Sequence, residues 1–140
     1  LAEQKKLVFE VNIAPDIPLM LLDKSKMQDA IYHLMDNAIK FSNQEGRIRL
    51  ACWCQDGQVF FEIEDEGVGI APHELAYIWD GFIQMSDSLM RGLEGLGLGL
   101  ALVKYVIEVH DGEVEAISDG QNGSTFYFVL PVKSAENRLL

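Results

Sequence analysis

Two runs, RIRLACWC at 47–54 and QVFFEIED at 58–65, flank Gln55, Asp56 and Gly57, and no other part of the sequence restricts the fold as strongly. An Asp-Gly turn between two runs rich in aliphatic and aromatic residues predicts a hairpin. Period-2 alternation then puts Val59, Phe61 and Ile63 on one face of the second strand, and Asp65 falls on that same face. A carboxylate at the end of a core-facing row needs a partner, because burying an unsatisfied charge is costly.

The flanking sequence supplies the rest of a sheet. LVFEVNI at 7–13 and LMLL at 19–22 predict short strands separated by the turn-forming APDIP. SKMQ, Ser25 to Gln28, fits a capping box, so a helix is expected from there to about Ser42. Met27, Ile31, Leu34, Ala38 and Phe41 recur along it at three- and four-residue intervals as a core stripe, with His33, Asp36, Asn37 and Lys40 beside them as a polar one. HELAYIWDGF predicts a short helical segment, 83–96 shows no periodicity, and 97–110 predicts a largely buried helix. GEVEAIS and STFYFVL form a second hairpin around DGQNG, and the tail at 133–140 is expected to be loose. Strand pairs joined by tight turns, with helices against them, make a two-layer α/β sandwich: a mostly antiparallel or mixed sheet of about five or more strands, covered on one face by about three helices. At 140 residues the chain is one domain, its core spanning about 5–132.

Charge restricts the partners of such a domain. Acidic residues outnumber basic ones 22 to 11, the formal charge is −11, and no basic run occurs, which weighs against nucleic acid or an anionic membrane as the main partner. No apolar window is long enough to span a bilayer, so no direct membrane contact is expected, and the N-terminus lacks the order of a signal peptide. The two cysteines, Cys52 and Cys54, share one face of a strand; with no second pair there is no zinc framework. Free thiols in a reducing cytosol are the simpler reading and a disulfide between them the alternative, so a cytoplasmic location is expected. The chain starts at Leu1 without a starter Met, as a piece of a larger protein would.

A second feature, GLEGLGLGLALV at 92–103, concentrates glycine where a helix begins. Counted from Gly95, the sixth position is Leu100 and no strand precedes it, so the dinucleotide fingerprint fails; Gly99 is followed by Leu100 and Ala101, so the P-loop fails too. Gly95 and Gly99 have the spacing of membrane helix pairs, but the apolar run is too short to span. Glycine costs about 1 kcal/mol relative to alanine inside a helix, so several in the first turns need a reason. Close approach of an anion to the helix N-terminus is one reason and tight helix packing is the other.

Two further blocks favour the ligand. Asp65-Glu66-Gly67-Val68-Gly69-Ile70 sets a carboxylate at a strand end before a glycine turn, where the exocyclic amine of a purine is a suitable donor. HLMDNAIKFS carries Asn37, with an amide oxygen suited to Mg²⁺, and Lys40 one turn later with a charge for phosphate. Each block has a plainer alternative, a turn cap for Asp65 and a solvated surface for Asn37 and Lys40. The three blocks together make one site the better account.

In this order and spacing the blocks resemble the N, G1 and G2 boxes of the catalytic ATP-binding domain of sensor histidine kinases, in the superfamily that includes gyrase-type, MutL and heat-shock chaperone ATPases (GHKL). IWDGFIQ, Ile78 to Gln84, resembles that family's F box, and HDGEVEAISDGQNGSTFYFVLP its closing hairpin. The resemblance covers about 5–132 and implies a Bergerat-type fold that binds ATP with Mg²⁺. It implies that Asn37 holds Mg²⁺ on the phosphates, that Lys40 meets phosphate and that Phe41 lines the nucleotide's flank. Asp65 accepts from the adenine amine, with Gly67, Gly69 and Ile70 shaping that pocket and Thr125 near the base. Gly95, Gly97 and Gly99 supply a hinge and the phosphate-facing helix start, with Leu96, Leu98 and Leu100 packed beneath. The segment at about 85–96 becomes an ATP lid whose cation, Arg91, approaches phosphate on closure.

Some positions depart from the pattern. His33 stands where relatives carry asparagine, or a glutamate base in those that hydrolyse ATP; it either orders a water on Mg²⁺ or packs. Trp79 and Gly81 replace the usual F-box residues. His-Glu-Leu at 73–75 has the wrong place to be the phosphoacceptor motif, and His110 matches a structural position. The resemblance implies a protein-histidine kinase whose phosphoacceptor and dimerisation domain lies elsewhere in a homodimeric parent, with a response regulator downstream. A noncatalytic nucleotide-binding module and a gyrase- or MutL-type ATPase are the alternatives.

Overall fold

The structure is a computed structural model and describes residues 2–80 and 99–132. Five strands form one mixed sheet in the order β1-β2-β3-β5-β4. They are β1 (Val8–Ile13), β2 (Arg47–Gln55), β3 (Gln58–Asp65), β4 (Glu113–Ser118) and β5 (Ser124–Pro131). β1 runs parallel to β2, and the other three pairings are antiparallel. The helices are α1 (Ala2–Lys5), α2 (Lys24–Phe41), α3 (Pro72–Leu75) and α4, helical over 99–109.

The expected hairpin is present as β2–β3. Asp56 and Gly57 both take positive φ, 52° and 76°, the condition for the tight two-residue turn whose twist matches the flanking strands. Register pairs Ile48 with Asp65 and Leu50 with Ile63, so the core row of β3 faces that of β2. The second hairpin, β4–β5, also forms and packs β5 against β3. α2 and α4 cover one face: Leu34 and Ala38 of α2 and Leu100, Val103, Val106 and Ile107 of α4 join Ile48, Ile63, Phe126, Phe128 and Leu130 in one buried cluster. This is the two-layer α/β sandwich anticipated from the sequence.

Two expectations need correction. Residues 19–22 do not form a strand. The Ala14 N–H makes a last bond to the Cys52 carbonyl at 2.9 Å, and then Pro15 and Pro18, which have no N–H to give, take the chain out of the ladder. Leu19 is left 95% exposed, while Met20 packs on the core. The cap of α2 also moves, from Ser25 to Asp23, whose carboxylate accepts from the Lys26 N–H at 3.1 Å. A capping box would have returned a side chain from within the helix to the cap's own N–H. Here His110, at the end of α4, does so through Nε2 at 2.9 Å, while its Nδ1 meets the Val106 carbonyl at 2.7 Å. His110 thus ties the start of α2 to the end of α4, a structural role.

Candidate functional site

Asp65 ends β3 on the helix-covered face and is 3% exposed. Its Oδ2 accepts from the Ser124 hydroxyl at 2.9 Å across the β3–β5 pairing, while Oδ1 is buried without a hydrogen-bond partner among the described residues. Burial pushes the carboxyl up to about 6 from an ordinary 3.8, against the lowering effect of the Ser124 hydroxyl and backbone and a smaller one from the Gly67 backbone. Among the described residues no lysine or arginine lines the narrow cavity it faces, whose walls are Asn37, Phe41, Asp65, Gly69, Ile70, Ser124 and Phe126. Asn37, also 3% exposed, contributes a second orphan there, its Nδ2. Two buried polar atoms without partners among the described residues in one cavity are the arrangement a ligand site presents.

Local backbone chemistry holds these groups together. The end of α2 is stapled to the glycine turn after β3: the Val68 N–H donates to the Phe41 carbonyl at 3.2 Å, the Asn43 N–H to the Glu66 carbonyl at 3.0 Å, and Ser42 bridges Gly67. Gly67 permits that approach, since a Cβ there would stand 2.0 Å from the Phe41 oxygen. Gly69, at φ +78°, backs onto the β4–β5 turn, where a Cβ would meet Gln121 N at 2.8 Å. The Ser118 hydroxyl accepts from the Ile70 N–H at 2.9 Å and donates to the Gly123 carbonyl at 2.7 Å, so the turn and the hairpin are one unit.

The structure brings Asn37, Phe41, Asp65, Gly69 and Ile70 to one cavity, with Gly67 behind them. Asn37 departs from the solvated polar stripe and is part of the buried wall. Lys40 is half-exposed and bonded to Asp36 at 2.9 Å. His33 is half-buried and packs against α4, where a Cβ on Gly99 would lie 3.2 Å from its Nδ1. Leu100 is fully buried beneath. Trp79, in the F-box resemblance, sets its ring edge-on to Phe126 at 6.0 Å. Arg91, Gly95, Leu96, Gly97, Leu98 and the lid at 85–96 lie outside the described residues.

Thr125 is a correction. Alternation on β5 turns it to the opposite face of the sheet, beside Trp53, Phe60 and Tyr127, and its neighbour Ser124 meets Asp65 instead. Counting back from Leu130, Phe128 and Phe126 by twos reaches Ser124, so the sequence contained the signal. Cys52 and Cys54 are free and half-buried.

Comparison with known proteins shows the family and the fold. The family model described as "Histidine kinase-, DNA gyrase B-, and HSP90-like ATPase" matches residues 22–134. The chain is 35% identical over 122 residues to the sensor protein KdpD of Clostridium acetobutylicum, covering 87% of this chain and 14% of that protein. It is 30% identical over 135 residues to the adaptive-response sensory kinase SasA of Prochlorococcus marinus, covering 96% and 36%. It therefore spans a minor part of the length of these relatives. Among solved structures, the mycobacterial sensor histidine kinase MprB superposes with a TM-score of 0.79 at 28% identity, covering 94% of this chain and 88% of that one. Full-length ShkA, in complex with AMPPNP, gives 0.80 at 28% identity, covering 96% and 27%. No helix among the described residues is long and apolar enough to cross a membrane. The chain belongs to the histidine kinase-, DNA gyrase B- and HSP90-like ATPase family, and within it to the ATP-binding catalytic domains of sensor histidine kinases.

Proposed function

We propose that this chain, as a single domain, binds Mg·ATP and presents the γ-phosphate to a histidine on a separate dimerisation and phosphoacceptor domain, in a cytoplasmic part of a homodimeric two-component kinase with a response regulator downstream. The observation that carries the reading is the Oδ1 of Asp65, which has no hydrogen-bond partner among the described residues, in a cavity that no described lysine or arginine lines. An ionised acceptor fixed by Ser124 suits the exocyclic amine of adenine. Phe41 and Ile70 supply apolar contact for the base, and Gly67 and Gly69 keep the turn close.

The Asn37 side-chain oxygen would hold Mg²⁺, which would supply charge neutralisation, while its Nδ2, a donor without a partner among the described residues, would meet an acceptor of the nucleotide. Lys40 meets phosphate after exchanging Asp36 for it. His33, wedged at Gly99, supports the start of α4 or orders a water. Arg91 and the glycines Gly95 and Gly97 would provide the lid, with Leu96 and Leu98 packed under it and Thr125 outside the pocket. Such a domain works by positioning and charge neutralisation and needs no nucleophile of its own.

Titration with ADP and an ATP analogue, with and without Mg²⁺, tests the module, and addition of a histidine phosphoacceptor domain with ATP tests the transfer. Magnesium-dependent binding followed by a phosphohistidine is the expected result. Binding without transfer would favour a noncatalytic signalling module, unaided hydrolysis a gyrase- or MutL-type ATPase, and absence of binding would overturn the proposal.

A further inference from the structure

α2 ends without a glycine cap: Ser42 follows it in extended backbone, φ −71° and ψ 147°. Its last four carbonyls must therefore find partners elsewhere. Ala38 takes the Ser42 N–H at 3.0 Å and the Ser42 hydroxyl at 2.6 Å. Phe41 takes the Val68 N–H of the glycine turn. Ile39 and Lys40 both take the ammonium of Lys5, at 2.9 and 2.6 Å, and its third proton goes to the Ser42 carbonyl at 2.9 Å. An ammonium has three donors, so Lys5 is fully committed here, and its charge meets the negative end of the helix. Its backbone is held too, since the Glu45 N–H donates to the Lys5 carbonyl at 2.7 Å and the Val8 N–H to Gly46 at 3.0 Å.

We infer that Lys5 is a positioning residue for the nucleotide site: by closing the last turn of α2 it fixes Phe41 and Asn37 against the Asp65 turn. The inference rests on the nucleotide-binding reading above. Lys5 does not line the cavity. It acts through the carbonyls next to Phe41, whose own carbonyl is the staple to Val68. Without the ammonium, the Ile39 and Lys40 carbonyls lose their partner, the last turn frays, and the wall bearing Asn37 and Phe41 no longer holds its place opposite Asp65.

The test compares ADP binding by Lys5→Met, Lys5→Arg and Lys24→Met, all well below their melting temperatures. Lys24 is an exposed lysine at the far end of α2, so its variant matches the change in net charge. Lys5→Met should raise Kd about five- to tenfold, a loss of the size of one ordinary net hydrogen bond; Lys24→Met should stay within about twofold and Lys5→Arg between the two. In the unsubstituted chain, saturating ADP should slow amide exchange at Val68 and Glu45, because what the cap does for the ligand the ligand must do for the cap. ADP that binds the unsubstituted chain but binds Lys5→Met and Lys24→Met equally well overturns the role of Lys5 alone. No ADP binding by the unsubstituted chain overturns the nucleotide reading itself. Should Lys5→Met fail to fold, the exchange measurement decides: Val68 and Glu45 amides unmoved by bound ADP would rule the role out.

Discussion

Glu64 and Asp65 are consecutive carboxylates on one strand, and they live in opposite worlds. Glu64 points to the face away from α2 and α4, half-exposed, and bonds the Arg49 guanidinium at 2.7 Å, which also holds Glu10 at 3.0 Å. Asp65 points under the helices, meets one serine, and keeps an oxygen unpaired among the described residues. The first carboxylate is satisfied by protein and solvent, and its pairs contribute little because both partners are half in water. The second is left expensive, by roughly 3 kcal/mol from the rise of its pKa to about 6, a cost that a donor entering the cavity would offset. The same residue chemistry is structural on one face and poised for a ligand on the other.

The largest blow to this contrast should come from Gly67→Ala. The new Cβ would meet the Phe41 oxygen at 2.0 Å and Asp65 Oδ1 at 2.6 Å, and backbone rather than a flexible side chain must yield. A loss of about 3 kcal/mol in denaturant unfolding, with nucleotide binding weakened at least about tenfold, is expected. Stability close to the parent's would mean that the turn is looser than its contacts imply.

Asp65→Asn separates binding from stability. Adenine nucleotide affinity should fall by about 1–3 kcal/mol in calorimetry, while the melting temperature at pH 7.5 rises, because an unpaired buried charge has gone. The pH profile checks the sign. Below about pH 4 the carboxyl is neutral in both folded and unfolded chains; between there and about pH 6 the unfolded chain ionises first, so stability falls as pH rises, and above 6 the penalty is constant. The variant should lack that fall, and parental nucleotide binding should weaken as pH drops through about 6. Unchanged affinity in Asp65→Asn would remove the residue from the adenine pocket.

Ser124→Ala against Thr125→Val sharpens the assignment of faces. Removing the Ser124 hydroxyl strips Asp65 of its neutral donor and should cost about five- to tenfold in nucleotide affinity, whereas Thr125→Val should stay within about twofold. Equal effects would contradict the alternation on β5. The smallest change is expected of Arg49→Met on the other face: the melting temperature within about 2 °C of the parent's and nucleotide affinity unaltered. A large loss there would show that this face too carries an essential charge network.

Much of the architecture was legible because it rests on local rules. The Asp-Gly turn, the core row ending in Asp65 and the apolar stripe of α2 all follow from periodicity and turn chemistry, and each is present. The expected strand at 19–22 failed because apolar composition cannot say whether a ladder is still available after two prolines. The cap at Ser25 failed for a related reason: Asp23 is a competent local cap, and the group that completes it, His110, arrives from α4. Motif spacing points to Thr125, but strand alternation decides the face and gives the site Ser124.

The sequence by itself determined the class of sandwich, the hairpins, and the residue types of the candidate site, Asn37, Asp65, Gly67 and Gly69, to which a nucleotide is proposed to bind. Only the tertiary structure decided how those residues are satisfied. It left Asp65 Oδ1 and Asn37 Nδ2 without partners among the described residues in a shared cavity, chose Ser124 over Thr125, and closed α2 with the ammonium of Lys5, from the helix that precedes β1. The physical reason is range. Turn type and side-chain periodicity are set by neighbours in sequence, whereas the partner of a buried polar atom is whichever distant group the packed layers bring within about 3 Å.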